Sequence, residues 1–393
     1  VDLKVGVVGF GLRSGLFRHA HRPGEGSVVT MVCDTSERGR ADAAAKLPEA
    51  TVTADLDLLL TAGLDAVLVL TPDHQHAAVA TRTLEAGIPT FCEKPLDVTL
   101  EAVDALLETA FRTGTKLYVG HNMRHMPVIR QMREIIQAGT IGEVKAVWCR
   151  HFVGNGGDYY FKDWHAERAN TTGLLLQKGA HDIDVIHWLA DAYTQQVSAV
   201  GTLAVYGDVA SRRDNSDRRM GDWFSLENWP PSEQQDLNPV IDVEDISMMN
   251  MVLGNGVLAS YQQCHFTPDY WRNYTVIGTN GRLENVGDHA GDRIKVWTSR
   301  TQGGYVEADH EVVIADADGG HGGADPLLIG EFLRFASQGG PTETSPVAAR
   351  AAVAAGVLAT ESLRGDGGAR QVPPLDAEVL SYFAADQERV AGE

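Results

Sequence analysis

The sequence predicts an α/β protein in two parts: a doubly wound parallel sheet, then an α+β region on a large, mostly antiparallel open sheet. Three observations carry this. Short apolar runs without polar alternation (3–8, 28–33, 66–70, 90–92 and 117–119) suit strands buried on both faces of a parallel sheet. Helix-like stretches at 36–47, 76–86 and 100–112 separate them, which reads as βαβ units. Beyond about residue 142 the runs lengthen and alternate (144–152, 197–206, 240–253, 256–265 and 274–277). Hairpin signals join them at Gly254-Asn255-Gly256 and Thr279-Asn280-Gly281.

Further helices are expected at 127–138, closed by Gly139-Thr140-Ile141-Gly142, at 179–189, and near the end at 326–336 and 346–363. Residues 207–238 form a polar excursion carrying Trp223, Phe224 and Trp229, read as a lid, an oligomer arm or a mobile loop. The expected division is 1–124 for a dinucleotide-binding domain and 125–393 for substrate binding and oligomerisation. The last helices are expected to pack back on the first domain.

The chain of 393 residues carries 33 Lys+Arg against 53 Asp+Glu, a net charge of −20. That balance argues against nucleic acid or an anionic membrane as partner, but leaves room for one phosphate-bearing small molecule. Cys33, Cys92, Cys149 and Cys264 lie far apart with no C-x-x-C pair, so no disulfide framework and no metal are expected. No apolar run reaches the roughly 18 residues of a membrane span. The first residues already read as a strand, and a cytoplasmic location is expected.

Gly9-Phe10-Gly11-Leu12-Arg13-Ser14 follows the first strand and leads into a helix. Gly9 and Gly11 permit a tight turn whose backbone N–H groups approach a pyrophosphate. Ser14 stands at the third glycine position and is small enough for close packing. Asp34 ends the second strand, where a carboxylate accepts hydrogen bonds from ribose hydroxyls and repels a 2′-phosphate. NAD is therefore expected, with NADP possible because Arg38 follows one turn later. Thr71, Pro72 and His76 follow the 66–70 strand, and Glu93-Lys94-Pro95 follows the next, on the rim where such sheets bind ligands. A lysine there can hydrogen-bond a carbonyl oxygen while hydride moves to its carbon.

With these residues in view, the sequence resembles the Gfo/Idh/MocA oxidoreductases. The matching pieces are the 9–14 fingerprint, Thr71-Pro72 with His76, Glu93-Lys94-Pro95, Gly120-His121-Asn122-Met123-Arg124, Ile141-Gly142, and the 178–184 segment Lys-Gly-Ala-His-Asp-Ile-Asp. The resemblance implies an N-terminal Rossmann domain and a C-terminal domain whose open sheet builds dimers or tetramers. It also implies NAD(P)-dependent hydride transfer at a hydroxyl or keto carbon of a sugar, cyclitol or related polyol. Lys94 matches the catalytic lysine, His181 the general acid/base, and Glu93 a residue near the nicotinamide; Asn122 contacts cofactor and Arg124 substrate. Asp184 shares a helix face with His181 and can orient it. Trp164, His165 and Arg168 resemble a substrate-side element, with the arginine displaced, and Tyr159, Tyr160 and His265 suit a sugar pocket.

One departure concerns the proton relay. Members commonly carry Asp four residues before the histidine; here Gln177 stands there, with Lys178 beside it as a candidate replacement. Two alternatives to a dehydrogenase remain open at this point: an NAD-retaining enzyme that cleaves glycosides by transient oxidation, and a non-catalytic NAD-binding sensor.

Overall fold

A computed structural model describes residues 1–301 and 303–388. The chain forms two compact units: Val1–His125 with Gly319–Val353 and the segment from Pro374, and Met126–Asp318 with Ala354–Pro373.

In the first unit, strands β1 (Leu3–Val8), β2 (Ser27–Cys33), β3 (Thr51–Thr53), β4 (Ala66–Val69), β5 (Thr90–Cys92) and β6 (Leu117–Val119) pair in parallel in the order 3-2-1-4-5-6. Strand order reverses between β1 and β4, and there the backbones close in. Gly9 has φ +89°, and a Cβ on it would lie 2.7 Å from the Leu70 carbonyl carbon, so only glycine fits. Ser36 caps the helix Glu37–Lys46 by accepting the Gly39 N–H.

Phe91 and Tyr118 stack at 5.8 Å, and Phe332 from the late helix Gly320–Gln338 meets both. That helix begins six residues before the expected 326. Proline favours a first helical turn, but Pro326 lies inside this helix, behind a glycine-rich turn. Buried Leu328, Ile329, Phe332, Leu333 and Phe335 hold it on the sheet despite the poor helix propensity of that turn.

The second unit is a nine-stranded sheet. Its strands are β7 (Val144–Phe152), β8 (Thr194–Thr202), β9 (Ile246–Leu253), β10 (Leu258–Cys264), β11 (Trp271–Gly278), β12 (Arg282–Val286), β13 (Arg293–Trp297), β14 (His310–Val313) and β15 (Arg370–Gln371). The order is 14-13-12-11-7-10-9-8-15, antiparallel except between β7 and β10. The helix Gly179–Ala190 packs on it. Strands β12 to β14 escape the sequence reading because they are only four or five residues long, too short for their alternation to stand out. Also unexpected are β3, β15 and the helix Ala377–Ala384.

The excursion is folded onto this unit. Its base is closed where Arg213 donates to the Leu237 carbonyl and Leu237 to that of Ser211. Val209 and Leu237 join a buried cluster with Phe161, Leu174, Tyr206 and Val243.

Candidate active site

The glycine loop leads into a 3-10 turn, Leu12–Leu16, and a short helix, Phe17–Ala20. Leu12 is exposed and Ser14 buried. A Cβ on Gly11 or Gly15 would project into open space, so the loop leaves room for a ligand against its backbone. Asp34 links loop and strand: it accepts from Phe10 N at 2.6 Å and from the Ser36 N–H and hydroxyl at 2.7 and 2.6 Å. Its remaining lone pairs are of the kind that receive ribose hydroxyls. Arg38 is exposed. Arg40, which the sequence reading passed over, donates to the carbonyls of Asp34 and Thr35. The cradle and its carboxylate fit an adenine dinucleotide.

Arg13 does not extend toward a phosphate. Its Nε donates to Glu93 Oε1 at 2.7 Å and its Nη2 to Asp325 at 3.2 Å. Asn122 donates to the same Asp325 at 3.3 Å. The second oxygen of Glu93 accepts the Lys94 N–H at 2.9 Å. Burial alone would raise the Glu93 pKa, but Arg13 and Lys94 outweigh it and hold the carboxyl below its usual range. Asp325 had no motif to flag it; the glycine-rich turn before Pro326 was its only trace.

His76 sets one ring nitrogen on the Pro95 carbonyl at 2.6 Å and the other on that of Thr71 at 2.7 Å. It ties the Thr71-Pro72 loop to the Lys94 loop. Lys94 itself is half-buried. Arg124, expected to meet substrate, is buried and donates to the Glu343 carbonyl at 2.7 Å. His121 and His125 stand four residues apart, a spacing the sequence reading missed. Among the described residues no group of three or more potential ligands could hold a metal.

In the second unit His181 is half-buried on the first turn of its helix, and Asp184 is buried. The neighbouring Asp182 proves to be the organising residue. It is fully buried, forms an ion pair with Arg272 whose Nε lies 3.1 Å away, and meets His151 Nδ1 at 3.0 Å and the Tyr274 hydroxyl. Burial opposes its charge, yet Arg272 and then His151 hold its pKa well below the ordinary range. Burial, and then Arg272, push His151 down to about 3. Burial, with His151 and Lys178, also depresses His265. Gln177 is buried at the end of a short helix, and Lys178 places Nζ 5.8 Å from the Tyr160 ring. His165 hydrogen-bonds Asp163 at 2.5 Å and stacks on Trp164 at 3.7 Å. Arg168 is tied to Asp242 at the surface.

A dinucleotide-binding sheet bearing an acid–lysine loop, with a second unit presenting a histidine on a helix, defines an oxidoreductase class. The family model described as "Oxidoreductase family, NAD-binding Rossmann fold" matches residues 3–121, and the Gfo/Idh/MocA C-terminal domain matches 129–284. The chain belongs to the Gfo/Idh/MocA oxidoreductase family, and its first unit is an NAD-binding Rossmann domain. YteT of Bacillus subtilis strain 168 is 26% identical over 328 residues, covering 74% of this chain and 76% of YteT. Inositol 2-dehydrogenase 1 of Saccharopolyspora erythraea is 34% identical over 204 residues, 50% of this chain and 57% of that enzyme. The chain thus spans little more than half of that inositol dehydrogenase. The fold is shared with a levoglucosan dehydrogenase solved with NADH and levoglucosan (TM-score 0.75, 18% identity, 95% and 100% of the two chains). It is shared too with myo-inositol 2-dehydrogenase from Lactobacillus plantarum (0.72, 18%, 95% and 100%). Among the described residues no helix is long and apolar enough to cross a membrane.

Two predictions follow from these networks. Arg13→Ala strands two buried carboxylates, so a loss toward the low end of ~3–5 kcal/mol is expected, Arg13 being partly exposed. Chemical denaturation reads that loss, and KM for NAD rises because the glycine loop loses its tie. The second concerns acid. Unfolded histidine takes up a proton near pH 6.5, whereas folded His151 does so only near 3. Between those values the unfolded chain binds more protons, so stability falls as pH drops. Thermal melting from pH 7 to 4 should show this decline, and His151→Asn should flatten it.

Proposed function

We propose that this chain is an NAD-dependent dehydrogenase, able to run as a reductase, acting on a hydroxyl or keto carbon of a sugar, cyclitol or related polyol. The observation that carries the reading is the fixation of Lys94. Its loop leaves the carboxyl end of β5, and Glu93, Arg13 and His76 each hold it by a hydrogen bond. The nicotinamide, when bound, supplies the hydride acceptor. Lys94 hydrogen-bonds the reacting oxygen and favours its developing negative charge. His181 takes the hydroxyl proton, a task suited to imidazole near neutral pH. Gln177 cannot exchange a proton, so in the second unit the proton-transfer role falls to His181, with Lys178 as a further cation. Asp34 supports NAD over NADP.

NADH absorbance across a panel of sugars, inositols and linear polyols tests this. Lys94→Ala and His181→Ala should each lower kcat/KM by about 10²–10⁴. Full turnover in Lys94→Ala would remove its role.

We further propose a homodimer or homotetramer built on the outer sheet face. There Trp148 is 51% exposed and Leu258 58%, with Met248 and Val252 beside them. Large exposed apolar side chains set among the polar Ser260, Asn250 and Gln262 suit an interface. Sedimentation should give a multiple of the chain mass, and Leu258→Glu should reduce it to one.

A further inference from the structure

The excursion's packing leaves two aromatic rings over at the surface. Its tip hangs on one carboxylate: Asp158 Oδ1 accepts Asn228 Nδ2 at 2.7 Å, and the same carboxylate pairs with buried Lys162 at 2.9 Å. Trp223 is buried and donates Nε1–H to the Asp158 carbonyl at 2.9 Å. These contacts suffice to dock the segment. Its next residue, Phe224, is nonetheless 39% exposed and set against Tyr159, itself 36% exposed, with centroids 5.7 Å apart.

From that pair the rings run inward without a gap. Tyr159 meets Tyr160 at 6.2 Å, and Tyr160 meets buried His265 at 5.2 Å and the Lys178 ammonium at 5.8 Å. Lys178 stands three residues before His181. A chain of ring contacts, tilted or edge-on, thus connects the exposed Tyr159–Phe224 pair to Lys178, the residue just before the helix carrying the proposed acid/base. Apolar faces edged with polar groups suit a sugar ring, whose C–H face stacks while its hydroxyls hydrogen-bond.

We infer that Tyr159 and Phe224 form a second subsite, and that the substrate is a glycoside whose additional ring stacks there. This rests on the sugar reading above and narrows it from a single ring to a linked pair. The Asp158 anchor holds the platform in place before substrate arrives, so little ordering entropy is lost on binding.

The test uses the full chain saturated with NAD, with glucose, galactose and mannose set against cellobiose, lactose and mannobiose. At least one disaccharide should exceed its monosaccharide tenfold in kcat/KM. Phe224→Leu, which keeps the apolar contact but removes the ring, should cut that ratio at least fivefold, while Phe224→Trp restores it. Saturation-transfer NMR should place the second ring's protons against aromatic resonances lost in Tyr159→Leu. Equal handling of mono- and disaccharides, or a ratio unmoved in Phe224→Leu, overturns the inference. So does a change of oligomeric mass in Phe224→Glu, which would give the patch to a second copy. Ring-specific disaccharide binding without any NADH formation would keep the subsite and remove the dehydrogenase reading instead. Absence of disaccharide binding overturns the subsite whatever the turnover.

Discussion

Glu93 is a carboxylate 4% exposed to solvent, and a desolvated anion must be paired. That demand organises the cofactor unit. Arg13 comes from the glycine loop to meet it, and Arg13 in turn draws Asp325 from a helix more than 300 residues later in the chain. Lys94 contributes its own N–H. Gly120 packs close on the other side, where a Cβ would lie 3.2 Å from the Glu93 carboxylate and 3.0 Å from the Phe91 ring and press on both. One buried charge therefore fixes the pyrophosphate loop, the lysine loop and the returning helix relative to one another.

The second unit repeats the device with different residues. Asp182 lies inside the helix that carries His181 and is held from two strands, by His151 on β7 and Arg272 on β11. The imidazole of His181 is thereby referred to the sheet through its chain neighbour. Buried ion pairs of this kind contribute little net stability, because desolvation offsets the attraction. Their value is positional: they penalise every other arrangement of the helix on the sheet.

The sequence reading located the parallel sheet and the loops with chemistry because those signals are local. Apolar runs, Gly9, Asp34 and the Glu93-Lys94-Pro95 triplet each announce themselves within a few residues. Asp325 and Asp182 do not, since their significance lies in partners far away in sequence. The same distinction explains His76 and Arg124. Their residue types suit ligand contact, but only the fold shows that His76 lies between two backbone carbonyls and that Arg124 donates to the Glu343 carbonyl. Strands β12 to β14 were missed for another reason: they are only four or five residues long, too short for an alternation to stand out.

The net charge of −20 acquires a different meaning once the cations are placed. Arg13, Lys162, Arg272 and Arg350 are each spent on carboxylates inside their own unit. These four cations are internal scaffolding, while others such as Arg38, Arg112 and Lys145 lie at the surface among the carboxylates. Beyond roughly 8 Å such surface charges are screened at physiological salt, so a dinucleotide feels mainly the loop it touches. That loop offers backbone N–H groups, with its one arginine sharing two carboxylates. What the loop leaves open is its own peptide dipoles, uncovered because Gly9 and Gly11 carry no side chain.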